Sequence, residues 1–514
     1  MPQMDETFLR YNALDSACML EIHNKIWHDL EEFQQTYDMT LRIFPVLMFM
    51  QTRGVAVSHD LLEETKVDVL RSSREKQEEL DALVGSPLNV NSSKQCIAYF
   101  YGEKNVAPYL NKNKKPTVDD KALQRLVRGT AARAGLREAK LVQEIRGLQK
   151  LYGTYLDIQF DADSRMRGSY NPRGTKFGRL SSSKTIFDTG MNFQNLPAEF
   201  KKFLVPDPGY MFVELDKSQA EWVVVAYVTG DANMIAAIEA GTDVHLHTAH
   251  LMFNLSPELI EHERKLIGHS TDADIIRELR LSDPDLKNYV NILPRAMSAR
   301  QCGKKSNHGL NYDEGYRGFA MINEMDEKEA KRIYDLYHRI YPGIKIWYNA
   351  VQNDLRKSRS LTNCLGRKVR FMGQWGDDLF KSAYSMLPQS TVVDSLNLGM
   401  EQIYEDQWIT QSLNVDVLAQ VHDSILMQVP IDLIKVKENF DNFYQRICLY
   451  TSPELEYSGK KFKIKSDVGI GLNWGEQHKV HNPTGMTGIS SHADLMKVIE
   501  GWENLSGKRA SGLA

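Results

Sequence analysis

Two carboxylates and one run of cations and rings are the residues best placed to do chemistry. Asp216 follows Gly209-Tyr210-Met211-Phe212-Val213-Glu214-Leu215, an apolar run whose aromatic and β-branched content predicts a strand. A carboxylate at a strand end is held rigidly yet reaches solvent, which suits a metal ligand. The commoner use of such an Asp is to cap the helix that follows. Asp423 lies in Gln420-Val421-His422-Asp423-Ser424, at the expected turn of a hairpin over 415–429. A turn Asp ordinarily bonds its own backbone. The pair means more than either alone, because two hard cations about 3.5–4 Å apart need shared carboxylates on rigid supports. Arg300, Lys304, His308 and Tyr312 recur at intervals of four residues. On a helix three such steps drift by about 120°, so all four share one broad face. Two cations followed by two rings suit a triphosphate next to a sugar and base, with Arg binding bidentately and Lys as a point charge. An exposed basic stripe would account for Arg300 and Lys304 but not for the rings.

The rest of the chain must supply the elements that hold these groups. The opening 40 residues read as helix, through the spacing of Leu14, Met19, Ile22, Ile26 and Leu30. Leu61 to Leu83 reads as a long charged helix stopped by Gly85 and Pro87, and residues 120–156 return to helix. Between them lie a capping loop over 87–94 and a polar, basic loop over 111–116. The stretch from Tyr170 to Pro197 is rich in Gly, Ser, Asn and Pro without a clear period. It reads as a long irregular segment, a kind that is usually functional. Residues 231–355 read as mainly helical with charged breaks near 256–290, and the end from His478 as polar with one short amphipathic helix near 491–502.

Composition bounds the partners. A chain of 514 residues holds about three to five compact units. With 42% apolar and 25% charged residues it is not wholesale disordered. The longest apolar run, Ile43 to Met50, is eight residues and contains Pro45. It is too short for the roughly 20 residues of a membrane span, so no membrane partner is expected. The acidic start lacks a signal-like apolar core. The five scattered cysteines fit a reducing compartment, and a cytoplasmic location is expected. The net charge of −4 argues against a polyanionic partner only if it is evenly spread. Residues 104–184 carry eighteen Lys or Arg against seven Asp or Glu, a net of +11, leaving −15 elsewhere. A solvated helical surface would explain a short run of this kind; so long an excess is a footprint for phosphates.

Taken together the clusters resemble motifs A, B and C of family A DNA polymerases. Motif A appears as Asp216-Lys217-Ser218-Gln219-Ala220-Glu221, and motif C as Gln420-Val421-His422-Asp423. Motif B appears as Arg300-x3-Lys304-x3-His308-Gly309-Leu310-Asn311-Tyr312. Gly178-Arg179-Leu180-Ser181-Ser182, Asn192 to Pro197, Asp243-Val244-His245, Tyr341-Pro342-Gly343, Leu365-Gly366-Arg367 and Val468-Gly469-Ile470-Gly471 match in the same order. The resemblance runs from about residue 11 to 475. It implies an α+β right hand with an antiparallel-sheet palm and mainly helical thumb and fingers. Residues 1–40 would be the last helix of an exonuclease domain, 41–160 the thumb, 161–230 and 371–476 the palm, 231–370 the fingers and 477–514 a tail. Asp216, Asp423 and the Lys217 carbonyl would bind two Mg²⁺ ions, with Mn²⁺ as a possible substitute. Arg300, Lys304 and His245 would hold the incoming deoxynucleoside triphosphate, with His308, Tyr312 and Gln219 beside it. Glu221 would be the steric gate against a ribose 2′-hydroxyl. Arg179, Asn195, Gln389 and His422 would touch primer–template DNA.

The departures from the family pattern carry their own expectations. Lys217, Val223 and Asp313 stand where relatives often have Tyr, Arg and Gly. Ser424 replaces a common Glu, leaving one fewer acidic group beside the metals, which should alter metal preference more than it abolishes catalysis. His308 replaces the usual Phe or Tyr. Because histidine ordinarily titrates near neutrality, we expect pH-dependent discrimination against dideoxynucleotides; a dideoxy-to-deoxy incorporation ratio flat from about pH 6 to 8.5 would contradict this. Tyr11-x3-Asp15 resembles the last exonuclease motif, and the earlier Asp-x-Glu and central Asp motifs are not in the sequence. The expectation is no proofreading by this chain, with either a truncated form or a separate exonuclease polypeptide docking on residues 1–40. The compact layout resembles phage replicases, so a bacterial or phage-infected cell is the expected setting. The alternatives are a single-subunit RNA polymerase, a catalytically silent DNA-binding subunit and, more distantly, an HD-type phosphohydrolase built on His422-Asp423.

Overall fold

The computed structural model describes residues 6–111, 113–128, 135–268, 270–323 and 325–510. Five strands form its central sheet: β1 (Tyr210–Lys217), β2 (Asp416–Val421), β3 (Ser424–Pro430), β4 (Ser466–Gly471) and β5 (Thr487–Ile489). They lie antiparallel in the order β5-β4-β1-β3-β2. β1 is therefore flanked on both sides, with Asp216 opposite Ser424 of β3 and opposite Asp467 of β4. Met211, Phe212, Val213 and Leu215 of β1 are all buried. A near-continuous apolar strand of this kind is expected where both faces of a sheet are covered.

The helices follow the apolar pattern. The N-terminal pair, α1 (Glu6–Leu30) and α2 (Gln34–Arg42), buries none of its residues. The long α3 (His59–Val84) ends at Gly85, whose φ of +83° is the left-handed helix stop that glycine makes without strain. It packs along α4 (Arg137–Lys150), where Leu80, Phe100, Leu141 and Ile145 belong to a small core of their own. The apolar residues between Ile43 and Val69 join the core of the central sheet instead.

After β1 the chain runs straight into α5 (Ala220–Thr229), in which Trp222, Val223, Val224 and Val225 are buried. A second large core then gathers α6 (Val244–Phe253), α7 (Pro257–Ile267) and α9 (Ala299–Gly309), while α8 (Ala273–Ser282) packs against α7. The 29-residue α10 (Asp377–Glu405) packs against α5, and α11 (His492–Ala510) closes the described chain. Antiparallel strands with helices gathered into separate layers make this an α+β fold.

Three expectations need correction. Much of the region near 256–290 is helix, α7 and α8, rather than charged breaks. Ser256 and Asp272 cap these helices while Ile260, Ile267 and Ile276 are buried, so the charges, apart from the buried pair Glu263 and Arg280, lie on the outer face. The irregular stretch over 170–197 contains a short ladder, Ser169–Asn171 against Ser181–Ser183. The polar end from His478 is built into the central sheet: β5 covers the edge of β4, and Leu495, Ile499 and Trp502 of α11 enter the core. The ladder and these three buried side chains hold in place a segment whose composition is otherwise polar. Among the described residues no helix is long and apolar enough to cross a membrane.

Candidate active site

The strand ends bring several carboxylates together. The Lys217 N–H donates to the Asp423 carbonyl at 3.1 Å, tying the end of β1 to the turn between β2 and β3. Asp216 is exposed at the end of β1, yet partial loss of hydration there pushes its carboxyl up to about 6, helped by Glu214, Asp423 and Asp467. Burial also raises Asp423, and its Oδ1 is buried with no hydrogen-bond partner among the described residues. An unpartnered buried carboxylate oxygen among like charges is a poor arrangement without a cation and a good one with it. The donor set thus fits divalent ions, with Asp216 and Asp423 as the groups to hold them.

Two members of this cluster escaped sequence reasoning. Asp467 is brought in by the β4 register, and Glu214 sits two residues before Asp216 on the same face of β1. Glu214 Oε1 accepts from Ser424 Oγ at 3.1 Å and from Trp474 Nε1 at 2.9 Å. Ser424 is thus a donor that fixes a neighbouring carboxylate. The Lys217 side chain is buried without a hydrogen-bond partner among the described residues, and burial pushes its ammonium down to about 7. Metal binding competes with the proton on Asp216. The Mg²⁺ or Mn²⁺ affinity, read by calorimetric titration, should therefore be flat above about pH 7 and fall as pH drops through about 6. A pH-independent affinity would contradict this assignment.

The basic helix is organised by its neighbours. Ser298 caps α9, its hydroxyl accepting from Gln301 N at 3.2 Å. Arg300 donates through Nε (3.0 Å) and Nη2 (2.6 Å) to Asp243 Oδ2. Asp243 Oδ1 meanwhile caps α6 through the N–H groups of His245 and Leu246. Burial would raise Asp243, but those N–H groups and Arg300 outweigh it and hold the carboxyl low. Lys304 and His308 are exposed. The His245 and His308 rings lie 5.8 Å apart between centroids. Asn307 Nδ2 donates to His245 Nδ1 at 3.1 Å, and burial pushes His245 down to about 4, so it is neutral at neutral pH. As a neutral ring it would meet a phosphate as a hydrogen-bond donor rather than as a cation. The close crossing of α6 and α9 depends on Gly303, where a Cβ would come within 2.3 Å of the His245 carbonyl oxygen.

Tyr312 does not continue the helix. The chain leaves α9 at Gly309 and tightens into a 3₁₀ turn over Leu310–Tyr312. That turn aims the Tyr312 hydroxyl at Glu221 Oε2, while Arg179 holds Glu221 Oε1. Burial, then the Glu221 charge, raises the Tyr312 hydroxyl well above its ordinary value, so it stays a donor. Gln219 stands at a φ of +51° and its Oε1 accepts from Val244 N at 3.2 Å, joining the end of motif A to α6.

On the other side of the carboxylates, the turn carrying Asp423 is braced by Gln194, which sequence reasoning passed over for its neighbour Asn195. Gln194 Nε2 donates to the Gln420 carbonyl at 2.8 Å, and its Oε1 accepts from His422 N at 2.9 Å. His422, at a φ of +51°, and Asn195 are exposed, and Gln389 is half-buried in α10 beside Pro388.

A fully buried ion pair holds the entrance to α9. Arg280 of α8 donates through Nε to Glu263 Oε1 at 3.1 Å, through Nη1 to the Pro294 carbonyl at 2.6 Å and through Nη2 to the Met297 carbonyl at 2.9 Å. Glu263 Oε2 accepts the N–H of Ala299, the first residue of α9, at 2.8 Å.

The chain is similar to known proteins. The family model described as DNA polymerase family A matches residues 59–268 and 290–476. A DNA polymerase I, thermostable, from Thermus filiformis is 25% identical over 455 residues, 84% of this chain and 47% of its own length. A DNA polymerase I from Chloroflexus aurantiacus is 23% identical over 495 residues, 91% of this chain and 46% of its own. The chain spans about half the length of these curated relatives. Among solved structures, the POL domain of Pol1 from M. smegmatis, in complex with DNA primer-template and dNTP, superposes with a TM-score of 0.68 at 21% identity, covering 85% of this chain and 70% of that one. The matched residues hold all three clusters, Asp216 to Glu221, Arg300 to Tyr312 and Gln420 to Asp423, and on that basis the chain belongs to DNA polymerase family A.

Proposed function

We propose that this chain is a template-directed DNA polymerase, a nucleotidyltransferase that adds deoxynucleotides to a primer 3′ end. The observation that carries the reading is Glu221: it follows the carboxylate strand β1 and is held by Arg179 on one oxygen and by Tyr312, in the 3₁₀ turn that follows α9, on the other. One side chain thus joins the metal-ligand strand to the basic helix. Two Mg²⁺ ions held by Asp216, Asp423 and the Lys217 carbonyl would acidify the primer 3′-hydroxyl and neutralise the departing pyrophosphate. The protein's own work is positioning, which is most of what phosphoryl transfer asks of it. Lys304 and Arg300 take the triphosphate, Arg300 by exchanging Asp243 for phosphate, and neutral His245 donates a hydrogen bond. The clamped Glu221 keeps its bulk where a ribose 2′-hydroxyl would fall. Arg179, Asn195, Gln389 and His422 face the primer–template, with Gln194 holding the turn beneath His422.

In this reading the palm is the central sheet, the fingers contain α6 to α9 and the thumb contains α3 and α4. A separate exonuclease would dock on residues 1–40, where α1 exposes Phe8, Tyr11, Leu14, Met19 and Ile22. The setting would be the reducing cytoplasm of a bacterial or phage-infected cell, where the free cysteines suit a replication enzyme. The test is extension of a labelled primer–template with Mg²⁺ and either deoxy- or ribonucleotides. Efficient deoxynucleotide addition supports the reading. Preference for ribonucleotides would make the chain an RNA polymerase, and tight DNA binding without extension a silent subunit.

A further inference from the structure

Asp313 stands at a φ of +60°, a left-handed conformation that disfavours any residue with a side chain. It directly follows Tyr312 and closes the 3₁₀ turn that aims Tyr312 at Glu221. What holds this turn is Tyr348, on the helix Gly343–Ser358. The Tyr348 hydroxyl accepts the Asp313 N–H at 2.7 Å and donates to the Leu310 carbonyl at 3.0 Å. One oxygen thus pins both ends of the turn. Leu310 is fully buried, and a carbonyl at a helix end has no helical partner, so the hydroxyl supplies a bond that α9 cannot. The ring carrying that hydroxyl is itself fixed. Tyr348 is 6% exposed and stacks on Tyr384 of α10, with centroids 4.1 Å apart and 21° between the planes. The Tyr384 hydroxyl in turn accepts from Gln352 Nε2 at 2.7 Å. Burial raises the Tyr348 hydroxyl far above its ordinary value, so it keeps its proton and stays a donor. The middle of the turn is held separately: Tyr337 Oη donates to Asn311 Oδ1 at 2.6 Å, and Asn311 Nδ2 to the Asn307 carbonyl at 2.6 Å.

We propose that Tyr348 is a positioning residue for the choice of sugar: its hydroxyl fixes the turn over 310–313, the turn fixes Tyr312, and Tyr312 fixes one oxygen of Glu221. This rests on the reading of Glu221 as the gate against a ribose 2′-hydroxyl. A gate of that kind discriminates by where its bulk stands, and small displacements are costly. Two groups hold Glu221, Arg179 and Tyr312. When Arg179 turns to the primer–template, as the polymerase reading has it, Tyr312 is the hold that remains. Tyr348 acts only through that hold, because its hydroxyl bonds the backbone of the turn. A hydroxyl that served stability alone would leave the preference between sugars unmoved.

The test is Tyr348→Phe in the full chain, with kcat/KM measured for each deoxynucleotide and for its matching ribonucleotide on the same primer–template. The ring and its stacking on Tyr384 remain, so the variant folds, which the thermal unfolding midpoint checks. The expected result is about a tenfold fall in the deoxy-to-ribo ratio, the scale of one well-placed hydrogen bond, carried mostly by faster ribonucleotide addition. Tyr312→Phe should lower the ratio at least as far. Adding Tyr348→Phe to it should lower the ratio no further, since both act through one contact. An unchanged ratio in Tyr348→Phe would overturn the inference, and so would a fall that multiplies with that of Tyr312→Phe. Amide hydrogen exchange over residues 310–313 needs no nucleotide. It should quicken in Tyr348→Phe, and unchanged exchange would overturn the inference whatever the chain polymerises. A wild type that takes both sugars equally would sink the gate reading of Glu221 and this inference with it. A selective wild type whose ratio ignores Tyr348→Phe would sink the inference alone.

Discussion

Asp216→Ala and Asp423→Ala are each expected to lower Mg²⁺-dependent primer extension by at least about a thousandfold, the equivalent of about 4 kcal/mol of lost charge stabilisation. The same substitution at Asp216 should act in the opposite direction on stability. Its carboxyl is pushed up to about 6 by burial and by Glu214, Asp423 and Asp467, so the folded protein binds the proton more tightly than the unfolded chain does. Stability contributed by that proton is present below the unfolded value and is lost as pH rises through about 6. At neutral pH the ionised group is therefore a liability in the metal-free protein, and Asp216→Ala should raise its unfolding midpoint. Added Mg²⁺ should stabilise the wild type and not the variant. Primer extension and metal-free melting at pH 7.5 (~10-fold or more above the Asp216 midpoint) check both halves. An active variant, or one that melts lower, would contradict the assignment.

The second large effect is expected at the buried pair beneath α9. Arg280 is 1% exposed and Glu263 is fully buried. Removing one partner leaves the other charged in the interior, a change that typically costs about 3–5 kcal/mol. Glu263→Gln and Arg280→Met should each lower the unfolding midpoint markedly. The double variant Glu263→Leu with Arg280→Met should recover much of that loss, because no charge is left stranded. Nucleotide affinity should not recover with it. Glu263 also accepts the Ala299 N–H, and Arg280 holds the carbonyls of Pro294 and Met297. The double variant therefore still lacks what fixes the start of the helix carrying Arg300 and Lys304. A raised KM for deoxynucleotide in a protein of restored stability is the expected signature. A double variant that recovers both would show that the pair does not position α9, and one that recovers neither would show that a stranded charge is not the source of the lost stability.

The parts of this site that were legible in sequence are those whose chemistry is local. β1 announces itself through aromatic and β-branched residues, and the hairpin through its alternating pattern, so Asp216 and Asp423 could be placed on strand ends before any fold was known. The motif B cations follow from helical spacing, although the spacing carried Tyr312 onto a helix that stops at Gly309. What was missed depends on contacts between distant segments. Asp467 reaches Asp216 only through the β4 register, and Glu263 meets Arg280 only because α7 and α8 fold as helices over charged residues. Gln194 looked no different from Asn195 until the turn at His422 was set against it. The tail read as polar because β5 is short and α11 contributes few core residues, Leu495, Ile499 and Trp502 among them. Edge strands carry weak periodic signals, and their role is decided by the strand they cover.

The most direct test of the central claim is single-nucleotide incorporation by the wild-type chain on four primer–templates that differ only in the templating base, each offered the four deoxynucleotides separately with Mg²⁺. The account predicts rapid addition of the complementary nucleotide in every case, loss of that addition with Asp423→Ala, and much slower addition of the matching ribonucleotide. Addition that ignores the templating base, or that survives loss of Asp423, would contradict it.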